Sequence, residues 1–213
     1  MLEKFEVPKM STSYGNIIKM MSSHPELIPY FLKIDVFKTL SSYVINSVFD
    51  ISSEAMSVME EILFSENKKV QAEVSNFLNS KSQEMMEIFF MFNQDNYLAK
   101  REGMKIIHEL LLNKDQNKEF YNYFIQDKEN LKFVMNSLND ESTAIQIEAF
   151  HLLLIILLAP GDKRGTRVND TLKKNVSQLL GFIDIFMQDK EKEDENLEAK
   201  KKLAIKALKE IKT

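Results

Sequence analysis

One stretch of the chain places cationic and aromatic side chains at spacings that suit a binding surface. Tyr97, Arg101 and Lys105 follow one another every four residues, so a helix aligns them in one stripe. His108 continues this stripe, whereas Glu102 is expected towards the far side of the helix. An arginine beside a tyrosine suits the binding of a partner helix or a carboxylate. A plain solvated helix face has the same pattern and stays open as the alternative.

A second candidate site lies in the stretch 129–138. Leu131 and Val134 are spaced to face a core, and Lys132 and Met135 share the adjoining face. A flexible methionine beside a lysine can receive an aromatic anchor and a carboxylate together. The alternative is a methionine that fills a gap beside a surface lysine.

Residue patterns typical of catalysis or metal binding are missing from the sequence. The chain has no cysteine, which excludes thiol catalysis, disulfides and cysteine-ligated metals. His24, His108 and His151 fall in different predicted helices without metal-ligand spacing, and we expect His151 to be a hydrogen-bonded core residue. Neither a glycine-rich phosphate loop nor a calcium-binding loop occurs. We therefore predict a protein that is not an enzyme and has no cofactor and no metal site.

Composition points to long helices in an intracellular protein. The 213 residues include only 5 glycines and 4 prolines, too few for the many turns of a sheet protein. The formal net charge of −4 argues against nucleic acid as a partner. The longest apolar run, 152–159, is far shorter than the roughly 20 residues that cross a bilayer, and the first residues do not resemble a signal peptide. We expect no membrane association and a cytoplasmic location.

Three helices repeat one apolar pattern at intervals near 45 residues, with an acidic or asparagine-rich turn before each. This period is typical of armadillo and HEAT arrays. The sequence therefore predicts an all-α, armadillo/HEAT-like right-handed helical solenoid, with an ordinary helical bundle as the alternative. The repeated positions are Ala55, Val58 and Ile62; Met104, Ile107 and Leu111; and Ala149, Leu152 and Ile156.

We predict a single armadillo-like domain over 1–213, with an irregular segment at 1–13 and surface loops at 160–167 and 189–196. One helix is expected to open near Pro25 and close near Leu32, and another to be capped by Ser52 or Ser53. The last helix should be a capping helix whose lysines, 200–202 among them, form a solvent-exposed face.

The ordered series of these segments resembles a known family. YLAKREGMKIIHELLL at 97–112 is similar to the inner helix of the Mo-twenty-five scaffold family, also called calcium-binding protein 39. ENLKFVMNSL at 129–138 and IQIEAFH at 145–151 follow at the family's spacing. FDISSEA at 49–55 and LKKN at 172–175 also fit. The resemblance runs from about residue 14 to the C-terminus and matches the C-terminal two thirds of the family's usual length.

The resemblance implies a non-catalytic scaffold that binds and helps activate a protein kinase or pseudokinase of Sterile-twenty type. Phe49, Tyr97, Arg101 and Lys105 match the family's kinase-contacting positions. A separate pocket would take a partner's C-terminal Trp-Glu-Phe-like peptide; its matching positions are Lys132, Met135 and Lys174. The alternative function is an armadillo-type adaptor for partners other than kinases, such as trafficking or cytoskeletal proteins.

Overall fold

The computed structural model describes residue 5 and residues 7–92, 96–186 and 195–212. Across these residues every regular element is a helix: eleven α-helices and one 3-10 turn, Ile28–Tyr30. The predicted all-α class is therefore confirmed. The α-helices are α1 (Pro8–Ser22), α2 (Ile34–Val44), α3 (Phe49–Leu63), α4 (Lys68–Ser80), α5 (Ser82–Met91), α6 (Tyr97–Leu112), α7 (Lys118–Gln126), α8 (Lys128–Ser137), α9 (Thr143–Leu158), α10 (Thr166–Ile185) and α11 (Glu195–Lys212).

The repeated apolar positions all lie in the core. They belong to α3, α6 and α9, and none of the nine side chains is more than 1% exposed. Spacings of three and four residues put one stripe of each helix against its neighbours, because 3.6 residues make one turn. Burial of these stripes supplies much of the apolar contact that stabilises the helices.

Contacts divide the chain into two compact units, Met1–Tyr121 and Asn122–Thr213. We call them unit 1 and unit 2 and describe each by itself. The single domain over 1–213 stays a prediction.

In unit 1, α3 packs against four other helices: α1, α2, α4 and α6. Two stacked aromatic pairs lie in the same unit. The ring centroids of Phe37 and Phe77 lie 5.4 Å apart, as do those of Phe5 and Tyr43. Such pairs add about 0.5–1.5 kcal/mol beyond the area they bury.

In unit 2, α9 packs against α8 and α11, and α10 packs against the same two helices. Phe150 of α9 meets Phe186, the residue that ends α10, with ring centroids 5.2 Å apart. Lys201 of α11 is only 3% exposed, and its ammonium donates a hydrogen bond to the Phe186 carbonyl oxygen at 2.8 Å. The prediction that this lysine lies on a solvent-exposed face is wrong.

Two predicted boundaries near the N-terminus are also wrong. Residues 8–13 are not irregular, because α1 begins at Pro8, where a missing N–H costs nothing in the first turn of a helix. Residues 1–4 and 6 lie outside the described residues. After Pro25 the structure has only the short 3-10 turn at 28–30 in place of a full helix.

The start of α3 differs from the predicted cap at Ser52 or Ser53. The helix begins three residues earlier, at Phe49, with Asp50 in its first turn. A carboxylate there is stabilised by the unpaired N–H groups of the helix start. Ser52 is buried instead, and its hydroxyl donates to the Val44 carbonyl oxygen at the end of α2.

The two predicted loops have different outcomes. From Pro160 to Gly165 the chain is non-helical, and α10 begins at Thr166. Most of the second loop, residues 189–194, lies outside the described residues, and α11 begins at Glu195.

Candidate functional site

The four predicted kinase-contact residues lie on two helices of unit 1 that touch each other. Phe49 opens α3, and Tyr97, Arg101 and Lys105 follow one another along α6. The structure thus brings together residues that are more than 45 positions apart in sequence.

One carbonyl group holds the starts of these two helices side by side. The Val44 oxygen accepts hydrogen bonds from the Ser52 hydroxyl of α3 and from the side-chain amide of Asn96, at 3.4 Å for the amide. Asn96 also caps α6, since its Oδ1 accepts from the Ala99 backbone N–H at 3.0 Å. The end of α2 therefore positions both Phe49 and Tyr97.

Phe49 and Tyr97 are exposed and share one groove. Their exposed fractions are 68% and 50%, so both aromatic rings are available to a partner. Aromatic side chains are among those that become buried anchors when a protein partner binds. We call this the apolar groove; its lining includes Ile45, Phe49, Ser52, Asn96, Tyr97 and Leu98.

Arg101 and Lys105 share a carboxylate that the sequence placed on the far side of α6. Glu102 accepts from Arg101 Nη1 at 3.3 Å and from Lys105 Nζ at 3.0 Å. The expected sorting of positive and negative charge is wrong, because three residues correspond to 300° and leave Glu102 only about 60° from Lys105. Arg101 also has a buried Nε without a hydrogen-bond partner in the described structure.

A second groove, further along the same two helices, is strongly acidic. Four carboxylates and one ammonium line it, from Glu60, Glu61, Glu102, Glu109 and Lys105. We call it the acidic groove. The sequence alone does not predict this groove, because adjacent acids on a helix are usually solvated. A signal was nonetheless present: Glu60 follows Phe49, and Glu109 follows Leu98, by eleven residues, which is close to three whole turns.

The pKa of Glu60 reflects the electrostatics of the acidic groove. Burial raises the pKa of its carboxyl above the usual value, and repulsion from Glu102 and Glu109 raises it further, while Lys105 opposes the change. The groove thus penalises a further negative charge and favours an incoming cation.

The three predicted tail-pocket residues lie in unit 2, on helices that touch each other. Lys132 and Met135 belong to α8 and Lys174 to α10. Lys132 is exposed and pairs with Glu129 at 3.5 Å, Met135 is half-buried, and Lys174 is exposed. Lys174 lies on the side of α10 opposite the buried stripe Leu172–Val176–Leu179. A common pocket for the three residues stays a prediction.

These features define an all-helical protein with a candidate binding surface. The family model described as Mo25-like matches residues 1–212. The chain belongs to this family, which confirms the resemblance found in the sequence. Family membership supports a scaffold-type protein, and no catalytic family is indicated.

Two relatives with curated descriptions match all or nearly all of the chain. It is 29% identical to the Mo25-like protein of Schizosaccharomyces pombe over 208 residues, 97% of this chain and 61% of that protein. It is 28% identical to human Calcium-binding protein 39-like over 213 residues, 100% of this chain and 61% of that protein. The chain thus spans about 61% of the length of these relatives.

Among solved structures, the chain is similar to a designed armadillo repeat protein in complex with a (KR)4 peptide. The TM-score is 0.48 at 12% identity, over 98% of both chains. In the part of the chain that the structure describes, no helix combines the length and apolar content needed to cross a bilayer.

Proposed function

We propose that the chain is a scaffold that binds a protein kinase or pseudokinase of Sterile-twenty type and helps to activate it. The observation that carries this proposal is the pair of exposed aromatics, Phe49 and Tyr97, in one groove beside Arg101. Family membership supports the same class of function. Large aromatic and arginine side chains are the residues that most often dominate the energy of protein interfaces.

A scaffold without catalytic groups can activate a kinase only through differential affinity. If the surface binds the active kinase conformation more tightly than the inactive one, binding shifts the population by the ratio of the two affinities. About 1.4 kcal/mol of difference gives a tenfold shift at saturation. The Val44 carbonyl oxygen joins the starts of α3 and α6 through Ser52 and Asn96, which supports such selectivity because a preorganised surface fits one conformation of its partner best.

The kinase surface is tested with the double variant Phe49→Ala/Tyr97→Ala. We expect its affinity for a Sterile-twenty-type kinase domain to fall about 100-fold, as removal of two anchor side chains predicts. Titration calorimetry measures the affinity, and phosphorylation of a model substrate measures activation. The matched control is Tyr30→Ala, since Tyr30 is 66% exposed in the same unit but lines neither groove. Equal binding by the double variant and the control would contradict the proposal, and binding to no kinase domain would favour an adaptor for other partners.

We further propose that Lys132, Met135 and Lys174 receive a C-terminal Trp-Glu-Phe-like peptide. Met135 would pack on the aromatic rings, and the two lysines would pair with the carboxylates. Met135→Ala is expected to weaken the binding of a fluorescent peptide ending in Trp-Glu-Phe about tenfold. Asn136→Ala is the control, because Asn136 is the exposed next residue of the same helix. A peptide affinity that does not change in Met135→Ala rejects this pocket.

A further inference from the structure

The apolar and acidic grooves are two parts of one seam between α3 and α6. On α3, Phe49 and Glu60 lie on the same line of the helix, and on α6 Leu98 and Glu109 do so. Eleven residues of helix span about 16 Å. The seam therefore presents an apolar end and an acidic end separated by roughly three helical turns.

The acidic end has negative charge that the chain itself does not neutralise. Glu102 engages both neighbouring cations, Arg101 and Lys105. Across the described residues no ion pair joins Glu60, Glu61 or Glu109 to a cation. An arriving cation would thus meet carboxylates from both helices, and an arriving carboxylate would be repelled.

We propose that this seam binds a helix of the partner that carries a large apolar residue and, about three turns along, an arginine or lysine. The apolar residue enters the apolar groove between Phe49 and Tyr97, and the cation enters the acidic groove among Glu60, Glu61 and Glu109. The chemistry of the partner segment follows from the seam alone, and only the assignment of that segment to a kinase rests on the proposed function.

Charge complementarity selects the occupant of the apolar groove. A surface with exposed aromatics alone would accept many apolar helices, whereas the acidic end rejects those with an acid at the second position. Arginine suits it best, because a planar guanidinium can bridge carboxylates on two helices. The seam between two helices also accepts the ridge of a third, which favours a helical partner. An extended segment would need its two residues only about five positions apart, since a strand rises about 3.3 Å per residue.

The test is a selection from a phage-displayed library of unconstrained 18-residue peptides, with the whole chain as bait. We expect enriched peptides to carry a large apolar residue and, ten to twelve positions away, arginine or lysine. Their affinities should fall steeply as salt rises, because exposed charges are screened. No enrichment, enrichment without a basic residue, or a basic residue about five positions away would each overturn the proposal.

Two triple variants locate the interaction. In Glu60→Gln/Glu61→Gln/Glu109→Gln, a selected peptide is expected to bind at least tenfold more weakly and to lose most of its salt dependence. The control, Glu66→Gln/Glu73→Gln/Glu119→Gln, removes three exposed carboxylates of unit 1 that line neither groove and should leave binding unchanged. Equal losses in both variants would overturn the proposal. Because the peptides contain no kinase, this result is independent of whether a kinase domain binds.

Discussion

Replacing Gly165 by alanine is expected to lower the free energy of unfolding of unit 2 by about 2–3 kcal/mol. A Cβ at this position would lie 2.2 Å from the Gln126 carbonyl oxygen and 3.0 Å from the carbonyl carbon. The obstacle is backbone, which cannot rotate away as a flexible side chain can. Either α10, which begins at the next residue, or the end of α7 must move.

The cost at Gly165 comes from lack of space and not from backbone conformation. Its φ and ψ, −61° and 145°, are extended values that any residue adopts. Relief of the contact with Gln126 therefore requires a shift of the backbone, which weakens the packing at the start of α10. Urea unfolding followed by circular dichroism measures the global change, and hydrogen exchange of the α10 amides measures the local one.

Gly181→Ala is the matched control, with an effect of opposite sign. Gly181 lies inside α10, is exposed, and an added Cβ there meets nothing within 4 Å. Alanine is a better helix former, so this variant should gain about 0.5–1 kcal/mol. If Gly165→Ala proved as stable as Gly181→Ala, the close approach of residues 126 and 165 would be wrong.

The two glycines show which part of the fold the sequence could predict. Helical periodicity is local, so the buried positions of α3, α6 and α9 followed from spacing alone. The packing of Gly165 on Gln126 joins residues 39 positions apart, and no spacing rule connects them. The segment 160–167 accordingly looked only like a surface loop.

The same limit explains what was missed at the candidate site. The stripe of Tyr97, Arg101 and Lys105 was visible because it follows one helix. The approach of Glu60 to the carboxylates of α6 depends on the contact between α3 and α6, and a single sequence does not show that contact. The partner chemistry is consequently narrowed: arginine beside tyrosine on α6 suggested a partner helix or a carboxylate, whereas the proposed seam favours a helix with a basic residue.

Lys201→Met is expected to destabilise unit 2 by about 2 kcal/mol. Methionine keeps the apolar stem but removes the ammonium that donates to the Phe186 carbonyl oxygen at 2.8 Å and to the Asp184 carbonyl oxygen at 3.4 Å. These carbonyls end α10, where a cation is favoured by the helix dipole. A buried acceptor that loses its donor costs about 1–3 kcal/mol.

Lys202→Met provides the control one residue away. Lys202 is exposed and pairs with Glu198 on the surface of α11, and such pairs contribute little, so its loss should cost less than about 0.5 kcal/mol. Urea unfolding of both variants, with hydrogen exchange at the end of α10, separates the two outcomes. If the two variants were equally stable, Lys201 would lie on a solvent-exposed face, as the lysine-rich sequence predicted. The expected difference follows from the position of Lys201 around the helix axis of α11. Lys201 lies four residues after Leu197 and three before Ala204, both of them buried, so it shares their face of the helix. A lysine within an apolar stripe is thus a sequence signal for a cation that caps a neighbouring helix.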